Sequence, residues 1–256
     1  MRSVIKKKNN LAGYLFILPN FLCVLCFMLI PIIFAGFISF FEWDYTQGFS
    51  SWQFVGFGNY IKMWSDKWFI ASFVNTFIFS FSVVPITILF SIVCSELIDK
   101  FTYGKKTIRL AVLLPYISNI VAVSAVWAMM YSDYGPINQF LKKIGIESPP
   151  AWLSDYNWAL IAVIIVTIWI NVGYNILIYY GAIQAIPREL YEAAQMDGAG
   201  SIRRFWHITV PSLRPTTFFL VITDFINSFQ AFGQIMVMTR GGPGTSTHVL
   251  SYYIYT

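Results

Sequence analysis

Residues 187–215 read PRELYEAAQMDGAGSIRRFWHITVPSLRP and form the longest polar interruption in an otherwise apolar chain. Pro187 suits the first turn of a helix, where its missing N–H is not needed. Glu189 and Glu192 lie near that N-terminus, where the helix dipole favours negative charge. Helical spacing places four further residues on one face: Leu190, Ala193, Ala194 and Asp197. The two alanines make this face flat enough for another protein to approach closely.

The second half of the stretch predicts a turn and another helix. Gly198 and Gly200 can adopt positive φ, so they end the first helix and turn the chain. Ser201 can cap a short second helix, and Pro211 and Pro215 stop that helix before the next apolar run. Residues 187–215 are therefore predicted to form a helix–turn–helix between two membrane spans, which we call the bracket.

The composition is that of a membrane protein. The 256 residues are 57% hydrophobic and only 11% charged, whereas a soluble domain has roughly 25% charged residues. Aromatic residues make up 19% of the chain, which fits interfacial belts of Trp and Tyr. The net charge of +5 comes from cations at the ends of apolar runs rather than from one basic patch, so no nucleic-acid partner is predicted.

Five apolar runs reach the ~20 residues that a membrane-spanning helix needs. They cover residues 11–41, 68–95, 110–131, 158–183 and 216–239, and the start of a sixth run covers 249–256. The first run is longer than the ~7–15-residue apolar core of a signal peptide, so an uncleaved first span is favoured. The predicted fold class is all-α, a polytopic helical membrane protein in contact with the lipid bilayer.

Lysine and arginine are distributed unequally between the two sides of this topology. Of the 17 such residues, twelve lie on the side that holds residues 1–10 and the bracket, and five lie on the other. The side richer in cations faces the cytoplasm. The N-terminus (1–10) and the bracket are therefore predicted to be cytoplasmic, and residues 11–256 to form a single transmembrane domain.

The bracket also resembles a known element. Its pattern is similar to the EAA loop of ABC importer permeases at these residues: Glu192, Ala193, Ala194, Asp197, Gly198, Ala199, Phe205, Ile208, Pro211 and Pro215. The resemblance implies the transmembrane fold of type I ABC importers and a role for the bracket as the element that sits in a cleft of a cytoplasmic ATPase. The alternative is an ordinary amphipathic loop at the membrane interface.

The resemblance assigns roles to individual residues of the bracket. It implies that Glu192 forms a salt bridge to an ATPase arginine, although a charge that only stabilises the helix dipole is the alternative. It implies that Ala193 and Ala194 allow close approach and that Asp197 and Gly198 fix the turn. The implied ATPase-docking set is Glu192, Ala193, Ala194, Asp197, Gly198, Ala199 and Arg203.

Two further segments resemble carbohydrate-importer permeases. Phe54–Tyr60 and the turn Thr239–Pro243 are similar to those of the maltose- and glycerol-phosphate-type "first" permease subunit. This implies a heterodimer with a second permease, two cytoplasmic ATPase subunits and an extracytoplasmic solute-binding protein, in the cytoplasmic membrane of a bacterium. Members of that family have a complete sixth span, so the sixth span is expected to be truncated here.

No catalytic site is predicted in this chain. Residues 104–107 read GKKT, but Lys106 separates the glycine–lysine pair from the threonine and position 99 is Asp, so the G-x-x-x-x-G-K-[ST] loop is absent. ATP and Mg²⁺ are therefore expected in a partner ATPase, with no cofactor in this chain. His207 and His248 lie on opposite sides of the predicted membrane, so no metal site is expected.

Polar side chains within the apolar runs predict a transport path. On the fifth run, Asp224, Asn227, Ser228 and Gln234 lie close to one helical face, and on the fourth, Asn171 and Asn175 form a weaker stripe. A buried acid in a span costs roughly 2.5–3.5 kcal/mol, so Asp224 is expected to face protein or water. Structural hydrogen bonds between helices are the alternative for this stripe.

The sequence thus predicts a permease subunit of an ATP-driven importer for sugars or oligosaccharides. A permease for another solute, such as a polyamine or a phosphate ester, is an alternative. A proton-coupled secondary transporter would usually show inverted repeats and paired intramembrane acids, and the sequence shows one obvious acid and no repeat. A membrane receptor or scaffold would have no use for the bracket.

Overall fold

Helices make up most of the chain in the computed structural model, which describes residues 2–44, 46, 48, 51–100 and 104–256, with side chains from residue 12 onward. The basic side chains of residues 1–10, which contribute to the predicted orientation, lie outside the described part. The chain divides into two compact units, Met1–Asp66 and Lys67–Thr256. The prediction of one transmembrane domain over 11–256 stays a prediction.

Fourteen α-helices are found within the described residues. They are α1 Arg2–Val24, α2 Ile30–Ile38, α3 Gly58–Ser65, α4 Lys67–Lys100, α5 Lys105–Ile117, α6 Ile120–Met130, α7 Pro136–Lys143, α8 Ala159–Gln184, α9 Arg188–Met196, α10 Ser201–Arg204, α11 Val210–Ser212, α12 Arg214–Phe229, α13 Gly233–Met238 and α14 Leu250–Tyr255. π-Helical turns at Leu25–Leu29 and Phe205–Thr209 join α1 to α2 and α10 to α11.

Within the described residues, three helices are long and apolar enough to cross a membrane. They are Ala12–Ile38, Lys67–Lys100 and Ala159–Gln184. Helices α5 and α6 are bent by 94° at a short break, and they make a fourth crossing if they form one broken span. The predicted fifth run is also interrupted, since it is divided between α12 and α13. The coarse prediction of a helical membrane protein is confirmed, with three or four spans by length and composition.

The first unit contains a feature that the all-α prediction omitted. Strands β1 (Phe41–Glu42) and β2 (Gln53–Phe54) pair antiparallel, with Phe41 opposite Phe54. The amide of Asn59 on α3 donates to the carbonyls of Ser39 and Phe41 at 3.0 and 2.9 Å. The chain after the first apolar run is therefore a short ribbon fastened to α3, because its polar backbone groups need partners.

The second unit is built around α4 and α8. Six small polar residues of α4 are buried, at spacings of four and seven: Ser72, Thr76, Ser80, Thr87, Ser91 and Ser95. Small side chains let membrane helices approach closely, and the Ser91 hydroxyl donates to the carbonyl of Val172 on α8 at 3.3 Å. One apolar core joins α4, α8 and α12 through Val84, Tyr179 and Leu220.

The bracket folds as a helix–turn–helix, with corrections to its predicted ends. Gly198 has φ +76°, but Gly200 has φ −66° and is extended. Gly200, not Ser201, is the N-cap of α10. Pro211 lies in the last turn of the continuous helix from Ser201 to Ser212, which ends there as predicted. Pro215 does not stop that helix but lies in the first turn of α12, where the missing N–H of proline has no helical partner.

Candidate coupling bracket and translocation path

Helix α9 ends in a Schellman motif that gives the bracket a fixed turn. The N–H of Ala199 donates to the carbonyl of Ala194 at 2.8 Å, and the N–H of Gly198 donates to that of Gln195 at 3.0 Å. This pattern requires a residue with positive φ at the position of Gly198, where a β-carbon would be strained. Glycine at position 198 is therefore explained by backbone geometry alone.

The predicted docking residues lie together on this protrusion. Five of them are exposed: Glu192, Ala193, Asp197, Gly198 and Arg203. The other two, Ala194 and Ala199, are half-buried because their backbones close the turn. The apolar side chain of Met196 adjoins them and is 89% exposed. The turn therefore presents a carboxylate and small side chains beside Met196 and Arg203, and methionine and arginine are among the residues enriched at protein interfaces.

The bracket is tied internally by side-chain hydrogen bonds. The hydroxyls of Tyr191 and Thr209 lie 2.9 Å apart, and Arg204 donates from Nη1 to Oε1 of Gln195 at 3.2 Å. Thr209 is fully buried. These contacts hold the helices before and after Gly198 as one body.

A second candidate site is a cavity of about 340 Å³ formed where two interrupted apolar runs meet. The break between α5 and α6 contributes Tyr116 and Ile120, and the break between α12 and α13 contributes Gln230 to Gly233. A β-carbon at Gly233 would lie 3.0 Å from Cγ2 of Ile120, so the breaks approach each other closely. Irregular backbone at membrane depth is tolerated where it lines a cavity, and broken helices commonly form the substrate sites of transporters.

Four of the six predicted path residues line this cavity. They are Asn171 on α8, Asn227 and Ser228 at the end of α12, and Gln234 at the start of α13. Gln234 is buried and donates from Nε2 to the hydroxyl of Thr167 at 3.4 Å. The cavity is therefore polar on the sides formed by α8 and the α12–α13 break.

The other two predicted path residues bind each other. Asn175 donates from Nδ2 to Oδ2 of Asp224 at 2.6 Å, and both residues are buried. The contact joins α8 to α12, which is the interhelical hydrogen bond that the sequence left open as the alternative. The arrangement gives the Asp224 carboxylate a hydrogen-bond partner within the protein.

Sequence reasoning missed several lining residues. Tyr116 stacks on Tyr174 with ring centroids 4.7 Å apart and planes 18° apart, and Thr167 and Gln230 also line the cavity. Asn119 caps α6 by accepting from the N–H of Val121 at 2.9 Å. The signal for the break was present in the pair Ser118-Asn119, since Asn is a preferred N-cap, but the surrounding apolar run concealed it.

The predicted turn at Thr239–Pro243 is packed against the rest of the second unit. Gly241 has φ +80°, and a β-carbon there would lie 2.6 Å from Cε1 of Tyr252 and 2.7 Å from Cδ2 of His248. Asn75 of α4 donates to the carbonyls of Thr245 and His248 at 2.7 and 3.0 Å. The glycine is thus required by both its φ and the close approach of two rings.

Comparison with known families covers both sites. The family model described as "Binding-protein-dependent transport system inner membrane component" matches residues 54–255. The lactose transport system permease protein LacF of Rhizobium radiobacter is 36% identical over 99% of this chain and 85% of its own length. The sn-glycerol-3-phosphate transport system permease protein UgpA of Yersinia enterocolitica is 32% identical over 94% of this chain and 81% of its own length.

Solved structures give the same result for the fold. A bacterial ABC transporter involved in the import of the acidic polysaccharide alginate superimposes with a TM-score of 0.80, at 25% identity, over 100% of this chain and 86% of its own. A second structure, of a bacterial alginate ABC transporter in complex with alginate pentasaccharide-bound periplasmic protein, has the same TM-score at 26% identity, over 100% of this chain and 85% of its own.

Proposed function

This chain belongs to the family of binding-protein-dependent transport system inner membrane components, and we propose that it is the permease subunit of an ATP-driven importer for a sugar or oligosaccharide. The observation that carries the proposal is the meeting of two broken spans at a polar cavity, in a chain that also presents a rigid exposed bracket. The cavity provides a path for the solute, and the bracket provides a docking site for a cytoplasmic ATPase.

The lining of the cavity favours a neutral, hydroxyl-rich solute. Every lining residue that the structure describes is uncharged, and its polar groups are amides and hydroxyls. Tyr116, which lines the cavity and stacks on Tyr174, presents an apolar face and a polar edge. A sugar ring offers matching surfaces, namely C–H faces and hydroxyl edges, whereas a polyamine or a phosphate ester would need opposite charges. The relative named for lactose agrees with a neutral sugar, whereas the relative named for sn-glycerol-3-phosphate, a phosphate ester, represents the alternative class of solute.

The proposed topology has five spans and the start of a sixth. Helices α5 and α6 form one broken span, α12 and α13 form another, and α14 begins the sixth. The N-terminus and the bracket face the cytoplasm of a bacterial cell, because most of the lysines and arginines lie on that side. This places the Thr239–Pro243 turn outside, within reach of a solute-binding protein.

The proposed assembly contains a second permease, two cytoplasmic ATPase subunits that bind ATP and Mg²⁺, and an external solute-binding protein. The docking residues of the bracket are Glu192, Ala193, Ala194, Asp197, Gly198, Ala199 and Arg203. Closure of the ATPases moves the two brackets together, and the tie between Tyr191 and Thr209 transmits this movement toward α12. ATP can shift the equilibrium between the two access states only by binding one state more tightly.

Docking is tested by co-purification of the ATPase with Glu192→Ala. Loss of the ATPase is expected, because the variant removes an exposed carboxylate from the docking surface. The matched control is Glu189→Ala, which removes an equally exposed carboxylate one turn earlier on the same helix. Equal retention of the ATPase by both variants would contradict the docking role of Glu192.

The path is tested by sugar uptake in proteoliposomes. Asn171→Ala is expected to lower uptake about two- to tenfold, the effect of one lost hydrogen bond, with ATPase binding unchanged. Asn157→Ala removes an exposed amide just before α8 and is the control. Uptake of a polyamine or a phosphate ester but of no sugar would support the alternative solutes, and normal sugar uptake by Asn171→Ala would remove Asn171 from the path.

A further inference from the structure

A polar cavity of about 440 Å³ lies beside the bracket. It is bounded by the C-terminal ends of α4 and α8 and by α9 and α10. Both signs of charge line it: the cations are Lys100, Arg188 and Arg204, and the carboxylates are Glu96 and Asp99. Its volume falls within the roughly 300–1,000 Å³ of small-molecule sites, and neither the docking surface nor the transport path uses it.

An apolar groove of about 220 Å³ continues from this cavity. The two share Glu96, Lys100 and Ser201. Val93 and Leu97 of α4 form one wall of the groove, and Ile202, Phe205 and Trp206 form the other. A site with a charged end and an apolar end selects for an amphipathic ligand.

The apolar walls belong to surfaces that suit a membrane. Val93 and Leu97 are 48% and 50% exposed on a helix long enough to span it. Ile202 and Trp206, one turn apart, are 78% and 59% exposed. Exposed Trp at the end of a span is typical of the interface between acyl chains and headgroups.

The opposite charges act within a short distance of one another. Glu96 pairs with Lys100 at 3.0 Å, and the Glu96 side chain is only 13% exposed. The pKa of Tyr191 is raised, and burial is the largest cause. The nearby Glu96 and Asp99 carboxylates also raise it, whereas the hydrogen bond to Thr209 and the charge of Arg204 lower it. The Tyr191 hydroxyl therefore experiences anionic and cationic groups together.

We propose that the cavity and groove bind one membrane phospholipid with a zwitterionic, primary-amine headgroup, that is, phosphatidylethanolamine. The headgroup phosphate lies against Arg204 and Lys100, because guanidinium and ammonium groups bind phosphate strongly. The headgroup ammonium lies against Glu96 and Asp99, and one acyl chain follows the groove.

The mixed charge decides between lipid classes. Phosphatidylglycerol has no cation for the two carboxylates, and the quaternary ammonium of phosphatidylcholine has no N–H to donate to them. Phosphatidylethanolamine supplies both a phosphate and three N–H donors. A lipid at this position braces α4 against α10 and so supports the base of the bracket.

The test uses the assembled importer, reconstituted with equal amounts of the three lipids and then stripped stepwise, with native mass spectrometry of the retained lipid. Phosphatidylethanolamine is expected to be retained about tenfold over the other two, the effect of one charge-assisted hydrogen bond. Arg204→Gln and Glu96→Gln should each abolish this preference. The controls Arg214→Gln and Glu189→Gln remove the same charges from exposed positions outside the cavity and should retain it.

Arg204 also holds Gln195, so a further variant separates lipid binding from folding. Ile202→Ser shortens the groove wall and leaves every charged group in place, and it should lower lipid retention without loss of assembly. Equal retention of the three lipids, or retention unchanged in Arg204→Gln and Ile202→Ser, would overturn the proposal. So would displacement of the lipid by soluble glycerophosphoethanolamine alone, or a photocrosslink from position 97 to the ATPase instead of to lipid.

Discussion

The hydroxyl of Tyr191 on α9 lies 2.9 Å from that of Thr209, which is fully buried where the chain turns toward α11. Four residues later, Leu213 is fully buried in the core that contains Tyr179 and Leu220. The protruding helix of the bracket is thereby connected, through one side-chain hydrogen bond and a short stretch of chain, to the packed base of α12.

Loss of this bond should weaken transmission of movement from the bracket. Tyr191→Phe keeps the ring and removes the hydroxyl, so uptake per ATP hydrolysed in proteoliposomes is expected to fall about two- to tenfold, while the ATPase still co-purifies. Tyr134→Phe, at a residue that is 87% exposed, should leave the ratio unchanged. A normal ratio in Tyr191→Phe would show that the backbone alone transmits the movement.

The bond between Asn175 and Asp224 should stabilise the fold rather than contact the solute. Asp224→Ala leaves the buried Asn175 amide without its acceptor, which costs about 1–3 kcal/mol and should lower the thermal midpoint in detergent. Asp224→Asn keeps an acceptor and should transport normally. Complete loss of transport in Asp224→Asn, at an unchanged thermal midpoint, would instead assign the negative charge to the path.

Helices α5 and α8 should tolerate no side chain at Gly173. A β-carbon there would lie 1.8 Å from the carbonyl oxygen of Val112, so Gly173→Ala must separate the two helices. Such overpacking typically costs about 1–3 kcal/mol and occasionally more, which fluorescence-detected size exclusion would register as loss of the folded peak. Gly181→Ala on the same helix meets nothing within 4 Å and should be neutral or slightly stabilising.

Stability of the Thr239–Pro243 region should fall in mild acid. Burial lowers the pKa of His248 below its ordinary value of 6.5; its Nδ1 lies 3.2 Å from the Ser72 hydroxyl and its ring contacts Trp68 and Tyr252. The folded chain keeps this histidine neutral while the unfolded chain protonates it. The contribution of His248 to the free energy of unfolding is therefore fully present above pH 6.5, and it is lost as the pH falls from there toward the folded pKa.

The measurement is the thermal midpoint of the purified chain between pH 7.5 and 5.5. A fall of a few degrees is expected for the wild type, and a smaller fall for His248→Gln, which cannot titrate. An identical pH dependence in the two proteins would assign the effect to other groups.

Local sequence predicted the bracket well because its geometry is local. The residues from Ala194 to Ala199 close their own hydrogen bonds, and only glycine fits position 198. The prediction failed at Ser201, which follows the N-cap Gly200, and at Pro215, which lies in the first turn of α12 instead of stopping the helix before it. Each of these residues is compatible with either side of a helix boundary, so composition alone could not distinguish them.

The path was predicted only in part because it depends on which helices meet. Asn171 and Gln234 were found from their stripes, but the break at Ser118-Asn119 and the stack of Tyr116 on Tyr174 were not. Hydropathy gives no signal for a 94° bend in the middle of an apolar run, and the N-cap residue Asn119 is a weak local sign of it. The pairing of Asp224 with Asn175 likewise joins residues 49 positions apart.

The amino-acid sequence by itself determined the membrane class, the position of the apolar runs and the turn of the bracket, because hydropathy and backbone conformation act over a few neighbouring residues. Tertiary structure alone decided which polar side chains face the cavity and which bind each other, and where cations and carboxylates converge beside the bracket. Those choices arise from contacts between distant helices, since buried polar groups in a membrane protein take whichever partners packing brings within reach.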